Sequence, residues 1–257
     1  MEVFEIVFLG LLQGVAEFLP ISSSGHLSLG QYFFNIDEAP LTLNIALHAA
    51  TLLVVFIFYR KKIISLFSPF KKDYLLAIFI TCIPTGIIGL GIKKFCEGVF
   101  ENASLSAYLL MINGIYLFFI AKAFTKKPDE SSTEFEVPNP IQAFIIGIVQ
   151  GIAVLPGLSR SGLTIGASKL LGMKSSNAVE YSLIASLPVI SGAVLLEARK
   201  MSEFSNPGFV LLSALIAVIA GWFSVKILLK IVKSNAFKYW GIYCFIAGFS
   251  FIIYTHV

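Results

Sequence analysis

The chain has 257 residues, of which 57% are hydrophobic and only 13% are charged, and its mean hydropathy is +0.86. Soluble domains carry roughly 25% charged residues, so this composition indicates an integral membrane protein without a separate soluble domain. The net charge of +4 does not indicate nucleic-acid binding, and three cysteines predict neither a disulfide framework nor a metal cluster.

Apolar runs predict the membrane-spanning helices. About 20 apolar residues are needed to cross a bilayer. In chain order, the runs long enough to do so lie at about 41–59, 73–92, 105–123, 177–198, 208–229 and 237–256. The segment 124–140 is the main polar insertion, and we interpret it as a loop that links two halves of the chain.

Two further apolar regions, 1–34 and 141–172, are interrupted. The first contains Pro20 followed by a Ser-Ser-Ser-Gly-His run, and the second contains Pro156 and Gly157 followed by Ser-Arg-Ser-Gly. Each half is short for a span, and an irregular backbone cannot lie exposed to lipid. The pattern therefore predicts two re-entrant helical hairpins whose broken tips lie inside the protein.

The two interrupted regions match each other when the chain is shifted by 137 residues. Seven identities fall in a 16-residue window, namely Gly10/Gly147, Gln13/Gln150, Gly14/Gly151, Ala16/Ala153, Ser22/Ser159, Ser24/Ser161 and Gly25/Gly162. Low complexity is the competing explanation, since small residues are common in membrane helices. The match predicts one membrane domain over 1–257, with repeat one at 1–123 and repeat two at 141–257.

Each repeat then holds one hairpin and three spans. Because three is odd, the second copy is inserted upside down, which is an inverted-topology repeat. The predicted fold is an all-α polytopic membrane protein whose two hairpin tips meet near the membrane midplane, where such folds place their binding site.

The distribution of basic residues orients this arrangement. One side holds Arg60, Lys61, Lys62, Lys71, Lys72, Lys122, Lys126, Lys127, Lys169, Lys174, Lys230, Lys233 and Lys238, whereas the other holds Lys93, Lys94, Arg199 and Lys200. The positive-inside rule makes the first side cytoplasmic. Both termini and the opening of the first hairpin then face outward.

Polar and ionisable side chains concentrate at the two tips, and such groups inside a membrane are usually functional. The first tip offers Gln13, Glu17, Ser22, Ser23, Ser24 and His26, and the second offers Ser159, Arg160, Ser161 and Thr164. An arginine, hydroxyls and helix N-termini together favour a phosphate group. A carboxylate with a histidine favours proton transfer or metal binding.

Simpler interpretations exist for the same residues. Arg160 could only pair with Glu17, the serines could only cap helices, and His26 could be a satisfied core histidine. We interpret His48, in the run LHAATLLVV, as structural. The glycine pairs of the two hairpins and the cluster at 86, 89 and 91 are interpreted as sites of close helix packing.

The segments QGVAEFLPISSSGHL at 13–27 and PGLSRSGLT at 156–164 resemble the undecaprenyl-diphosphatase family, also known as the bacitracin-resistance family. The resemblance covers most of the chain. It implies hydrolysis of undecaprenyl diphosphate to undecaprenyl phosphate and inorganic phosphate, which recycles the lipid carrier for cell-wall synthesis. It also implies dependence on Mg²⁺ or Ca²⁺ and the same fold of six spans and two hairpins.

The resemblance implies roles for individual residues. Glu17, Ser23, His26 and Arg160 are expected to be catalytic. By the resemblance, Ser159, Arg160 and Thr164 are expected phosphate ligands, and the serines that open the two second half-helices add Ser22, Ser24 and Ser161 to this expectation. Glu17 and Gln13 are the expected metal ligands, although Gln13 stands where many members have Glu, so a cation would depend more on Glu17 and on the substrate phosphates.

The attacking group stays open between Ser23 activated by His26 and water activated by His26 and Glu17. The competing class is a flippase for undecaprenyl phosphate or a related anionic lipid, which needs the phosphate clamp but no nucleophile. The expected location is the bacterial inner membrane, with the site facing the periplasm or exterior. The expected partners are a polyprenyl diphosphate and membrane lipid, with no nucleic acid and with a homodimer left open.

Overall fold

The structure is a computed structural model, and it describes residues 3–34, 40–67, 70–100, 102–125, 136–198, 207–232 and 236–256. Over these residues the elements are all helical: α1 (Val3–Ala16), α2 (Ser23–Phe33), α3 (Pro40–Phe58), α4 (Arg60–Phe67), α5 (Lys72–Phe95), α6 (Ala103–Thr125), α7 (Pro140–Ile152), α8 (Arg160–Leu170), α9 (Ser175–Ala198), α10 (Pro207–Ile231) and α11 (Ala236–His256). Most of the predicted loop at 124–140 lies outside the described residues.

Five helices, α5, α6, α9, α10 and α11, are long and apolar enough to cross a membrane. A sixth candidate span is formed by α3 together with α4, which are bent by 68° with respect to each other. The predicted all-α, multi-pass membrane architecture is therefore confirmed, and each predicted span coincides with one of these helices.

Helix α4 was not expected from the sequence, where its residues lay in a loop. The chain leaves the apolar run of α3 at Tyr59 and continues as a helix through Arg60, Lys61 and Lys62. Charged side chains are costly in the hydrocarbon region, so the helix turns aside where they begin. The backbone nevertheless stays hydrogen bonded across the bend, since the N–H of Ile63 donates to the carbonyl of Tyr59 at 2.9 Å.

The short apolar helices α1, α2, α7 and α8 occupy the two interrupted regions. Helix α1 packs on α10, α7 packs on α5, and α6 packs along α11. Helix α3 lies against both α9 and α10. These pairings surround the two helix breaks with long helices.

Glycines allow several of these close approaches. A Cβ at Gly14 would lie 2.5 Å from the Ala217 carbonyl oxygen of α10, and one at Gly114 would lie 2.6 Å from the Gly241 carbonyl oxygen of α11. The packing role predicted for the hairpin glycines is confirmed. The same role is wrong for Gly86 and Gly91, because a Cβ at either position would meet no described atom within 4 Å.

Candidate functional site

Both interrupted regions break their helices in the same way. Helix α1 ends at Ala16 and α2 starts after Ser22, whose side-chain oxygen accepts the Gly25 N–H at 3.2 Å. Helix α7 ends at Ile152 and α8 starts after Ser159, whose oxygen accepts the Gly162 N–H at 3.1 Å. A serine N-cap satisfies one of the free N–H groups of a helix start. The two breaks, residues 17–22 and 153–159, are called the tips below.

The two tips contact each other directly. The N–H of Gly157 in the second tip donates to Ser22 Oγ at 3.1 Å, and Ser161 Oγ donates to the Leu19 carbonyl of the first tip at 3.1 Å. Ser22 has a φ of 68°, a conformation that non-glycine residues seldom adopt and that clusters at functional sites. The expected meeting of the two tips is thus seen in the structure.

Asn113 of α6 ties the tips together from the side. Its amide nitrogen donates to the Pro20 carbonyl at 3.1 Å, and its amide oxygen accepts the Ser159 N–H at 3.1 Å. The side chain is fully buried. Sequence reasoning did not find this residue, although a lone asparagine in an apolar span was a signal that it faces the protein interior.

A buried carboxylate lies at the junction of the tips. Glu17 Oε1 forms an ion pair with the Arg160 guanidinium from the start of α8. Glu17 Oε2 accepts hydrogen bonds from Ser23 Oγ at 2.7 Å and from Gln13 Nε2 at 3.2 Å. The pair neutralises two charges that would otherwise be costly to bury. The structure therefore brings together four of the predicted site residues.

Two residues of α3 complete this cluster without having been predicted as site residues. His48 Nδ1 lies 3.1 Å from Gln13 Nε2 and 3.5 Å from Glu17 Oε2, and Thr51 Oγ1 accepts from Gln13 Nε2 at 3.4 Å. The interpretation of His48 as a structural residue missed this position. The available signal was an ionisable group in the middle of an apolar span.

His26 lies apart from that cluster. Its Nδ1 is 2.9 Å from the Ser22 carbonyl oxygen, and its Nε2 is 2.8 Å from the hydroxyl of Tyr243 in α11. The imidazole also stacks on the Tyr243 ring, with centroids 5.6 Å apart. The expected pairing of His26 with Ser23 is not formed, because both ring nitrogens are engaged elsewhere and Ser23 donates to Glu17.

The remaining predicted phosphate ligands are held by protein partners. Ser22, Ser159, Ser161 and Thr164 are buried. Thr164 Oγ1 donates to the Arg160 carbonyl at 2.8 Å and contacts the Ser182 hydroxyl. Ser24, which is partly exposed, lies 3.5 Å from Ser22 Oγ. In this structure the buried hydroxyls shape the tips, and their contact with a phosphate stays a prediction.

Two buried polar atoms beside Glu17 have no hydrogen-bond partner among the described residues. They are Arg160 Nη1, a donor, and Gln13 Oε1, an acceptor. Buried polar atoms are rarely left unpaired, and each such case needs an explanation. A ligand that carries both negative oxygens and an associated cation would satisfy both atoms.

The chain is similar to known proteins along nearly its whole length. The family model described as "Bacitracin resistance protein BacA" matches residues 6–250. A protein of Halothermothrix orenii named undecaprenyl-diphosphatase is 35% identical, with 98% of each chain covered. Proteins of the same name from Desulforapulum autotrophicum and Methanococcus vannielii are 37% and 38% identical, covering 98% and 97% of this chain and 98% and 99% of their own. The chain thus belongs to the bacitracin resistance protein BacA family.

Proposed function

We propose that this protein is an integral membrane phosphatase that hydrolyses undecaprenyl diphosphate to undecaprenyl phosphate and inorganic phosphate, and so recycles the lipid carrier for cell-wall synthesis. The observation that carries the proposal is the unpartnered Arg160 Nη1 beside Glu17, where the two tips meet. Guanidinium groups bind phosphate oxygens in a two-pronged geometry. The activity is the one for which the relatives are named.

The diphosphate would bind to Arg160, with its polyprenyl tail in the lipid. Phosphoryl transfer requires mainly positioning and charge stabilisation, and the guanidinium would supply both once it binds the phosphate. Binding of phosphate would draw Arg160 away from the Glu17 carboxylate and make that carboxylate a better proton acceptor. Substrate binding and activation of the site would thus be coupled through one ion pair.

Ser23 is the proposed nucleophile, and Glu17 is its proposed proton acceptor. Ser23 Oγ already donates to Glu17 Oε2 at 2.7 Å. Attack on the terminal phosphorus would transfer the serine proton to Glu17, form a phosphoserine and release undecaprenyl phosphate. Water would then attack the phosphoserine, the departing Ser23 oxygen would take back the proton held by Glu17, and the proton lost by the water would leave with inorganic phosphate. His26, one turn after Ser23 on α2 and held by the Tyr243 hydroxyl, would support the reaction by fixing the Ser22 carbonyl and with it the first tip.

The residues present fit a divalent cation in part. Mg²⁺ and Ca²⁺ prefer oxygen ligands, and Glu17 with the unpartnered Gln13 Oε1 supplies them. No group of three or more His, Cys, Asp or Glu residues that could hold a metal occurs in the described part of the chain. Substrate phosphate oxygens would therefore complete the coordination. When bound, the cation would neutralise charge between the carboxylate and the diphosphate.

The hydroxyls of Ser22, Ser24, Ser159, Ser161 and Thr164 are proposed to support phosphate binding. Ser24 is partly exposed and suits direct contact. The others would act by holding Arg160 and the helix N-termini in place, because their hydroxyls already bond to the tips.

The fold is proposed to be an inverted-topology repeat within one membrane domain, with a re-entrant hairpin and three spans at 1–123 and again at 141–257. The matched serine caps of α2 and α8 support this. The helix packing supports it as well. Helix α1 of the first repeat packs on α10 of the second, and helix α7 of the second repeat packs on α5 of the first.

The proposed location is the bacterial inner membrane, with the site facing the periplasm or exterior. This orientation places Cys96, at the end of α5, on the outer face, and its side chain is exposed. A membrane-impermeant maleimide should label it in intact spheroplasts and should not label Cys96→Ser. Labelling only after lysis would reverse the orientation. Whether a homodimer forms would be measured in the same preparation by mass determination in detergent.

The activity is tested by phosphate release from undecaprenyl diphosphate by purified protein with Mg²⁺, with Ca²⁺ and with chelator. Glu17→Ala, His26→Ala and Arg160→Ala should abolish metal-dependent release. Lys226→Ala, which removes an exposed charge on α10, is the matched control and should retain it. No release by folded wild-type protein with either metal would overturn the proposal and put a lipid flippase in its place.

A further inference from the structure

His48 is a partly exposed member of the Glu17 cluster. Its side chain is 32% exposed, whereas that of Glu17 is 6% exposed. The hydrogen bond and the ion pair that link the ring to described residues both use Nδ1. The other ring nitrogen, Nε2, is not among the buried polar atoms that lack a partner in the described part of the chain, so we place it on the open side of the cluster.

The contacts of Gln13 decide which nitrogen of His48 carries the proton. Gln13 Nε2 lies 3.2 Å from the Glu17 carboxylate, so this atom must be the amide nitrogen, because an amide oxygen there would face another acceptor. The same nitrogen lies 3.1 Å from His48 Nδ1. This NH₂ group has two hydrogens, and its two shorter contacts are those to Glu17 Oε2 and His48 Nδ1, whereas Thr51 Oγ1 lies farther away at 3.4 Å. We therefore assign Nδ1 as an acceptor, and in the neutral ring the hydrogen is then on Nε2.

His48 and Arg160 lie on the two sides of one carboxylate. Arg160 contacts Glu17 Oε1, and His48 faces Glu17 Oε2. Arg160 has an unpartnered Nη1, and His48 has an N–H on its open side. Two donors that flank a single anionic group are suited to a ligand with two linked anionic groups, such as a diphosphate.

We infer that His48 is a further substrate-binding residue, whose Nε2–H donates a hydrogen bond to a phosphate oxygen of the diphosphate. This inference rests on the proposed phosphatase function and adds to it a residue from α3. Gln13 would then have two roles. Its amide nitrogen donates to His48 Nδ1 and so favours the tautomer with the hydrogen on Nε2, and its amide oxygen would face the proposed cation.

Paired substitutions test the inference, because they separate the two ring nitrogens. In His48→Gln the amide nitrogen can occupy the place of Nε2, whereas in His48→Asn it can occupy the place of Nδ1. His48→Ala should raise the KM for undecaprenyl diphosphate by about 10-fold to 100-fold, as expected for a lost hydrogen bond to a charged group, with a smaller change in kcat. His48→Gln should recover more of the affinity than His48→Asn.

A purely structural role through Nδ1 predicts the opposite order, with His48→Asn closer to wild type, and that order would overturn the inference. Asn44→Ala, one turn earlier on α3 and bonded to Gln31 at 2.9 Å, is the control and should leave KM unchanged. An unchanged KM in His48→Ala, with active wild-type protein, would also overturn the inference while leaving the phosphatase intact.

A binding measurement separates this inference from the proposed activity. In protein labelled with ¹⁵N-histidine, methylenediphosphonate, which cannot be hydrolysed, should shift the Nε2 resonance of His48, and His48→Gln identifies that resonance by its loss. A resonance that does not move at saturating probe would overturn the inference. Failure of wild-type protein to release phosphate would instead overturn the proposed function.

Discussion

The two helical hairpins share a backbone plan but differ in their chemistry. In both, a serine caps the second helix, and its hydroxyl oxygen accepts a hydrogen bond from the backbone N–H three residues later. That N–H belongs to Gly25 in the first hairpin and to Gly162 in the second. The shift of 137 residues that aligns these caps pairs Glu17 with Val154 and Ser23 with Arg160. One hairpin therefore carries the buried carboxylate and the other carries the guanidinium.

This difference shows why the site exists only where the tips meet. Neither hairpin alone can compensate its buried charge, since Glu17 has its cationic partner on α8 and Arg160 has its carboxylate at the first tip. The matching glutamines diverge in the same way. Gln13 contacts Glu17, Thr51 and the His48 ring, whereas Gln150 donates only to Thr85 among the described side chains.

The largest effect is expected when the first hairpin is made to resemble the second at Glu17. Glu17→Val should lower phosphate release by at least about 10²-fold to 10³-fold, the usual effect of removing one preorganised electrostatic group. It also leaves Arg160, whose side chain is only 15% exposed, without its carboxylate, which costs about 3–5 kcal/mol of stability. Phosphate release and thermal unfolding in detergent measure the two effects.

The double variant Glu17→Val with Arg160→Ser, which adopts the counterpart residue at both positions, is the control for that loss. It should regain much of the thermal stability and none of the activity. If Glu17→Val alone remained active, the carboxylate would have no role in the reaction.

Helix packing should also distinguish the two hairpins. A Cβ at Gly14 would meet backbone atoms of α10, with the Ala217 oxygen 2.5 Å away, whereas one at Gly151 would meet the Ile88 side chain, with its Cβ 2.8 Å away. The Ala217 oxygen at Gly14 is also the closer contact, so Gly14→Ala should cost about 3 kcal/mol and Gly151→Ala about 2 kcal/mol. Thermal unfolding measures both, with Gly91→Ala as a control that should lose no stability; equal losses would contradict the difference.

The two serine caps differ in a smaller way. Ser159→Ala should cost about 1 kcal/mol, the usual effect of losing an N-cap. Ser22→Ala should cost about 2–3 kcal/mol, because Ser22 Oγ also accepts the Gly157 N–H from the other tip, and a buried N–H without a partner adds about 1–3 kcal/mol. Thermal unfolding compares the two losses of stability. A Ser159→Ala variant that is less stable than Ser22→Ala would refute the expected order.

The smallest effect concerns the two glutamines. Gln13→Glu should lower the Mg²⁺ or Ca²⁺ concentration needed for half-maximal activity by roughly tenfold, because ligand charge sets the affinity of such sites. Gln150→Glu should not change that concentration, since its amide lies beside Thr85. A metal titration of phosphate release compares the two, and equal shifts would argue against Gln13 as a ligand.

Much of the fold was predictable from hydrophobicity alone. The six candidate spans follow from the bilayer thickness, and the two interrupted regions from the Pro, Gly and Ser clusters that end α1 and α7. These features are local, since a break depends on residues within one or two turns. The bend into α4 was missed because three basic residues end a span but do not prevent a helix from continuing along the surface.

Glu17, Arg160 and the serine run were also recognisable from the sequence, because ionisable groups are expensive in an apolar environment and seldom occur there without a role. Only the tertiary structure decided how they are paired. Glu17 and Arg160 are 143 positions apart, and His26 and Tyr243 are 217 apart. Asn113 reaches the tips from α6, and His48 reaches the site from α3. Their positions depend on how separate helices pack, and no local sequence pattern predicts which side chains share the small polar interior.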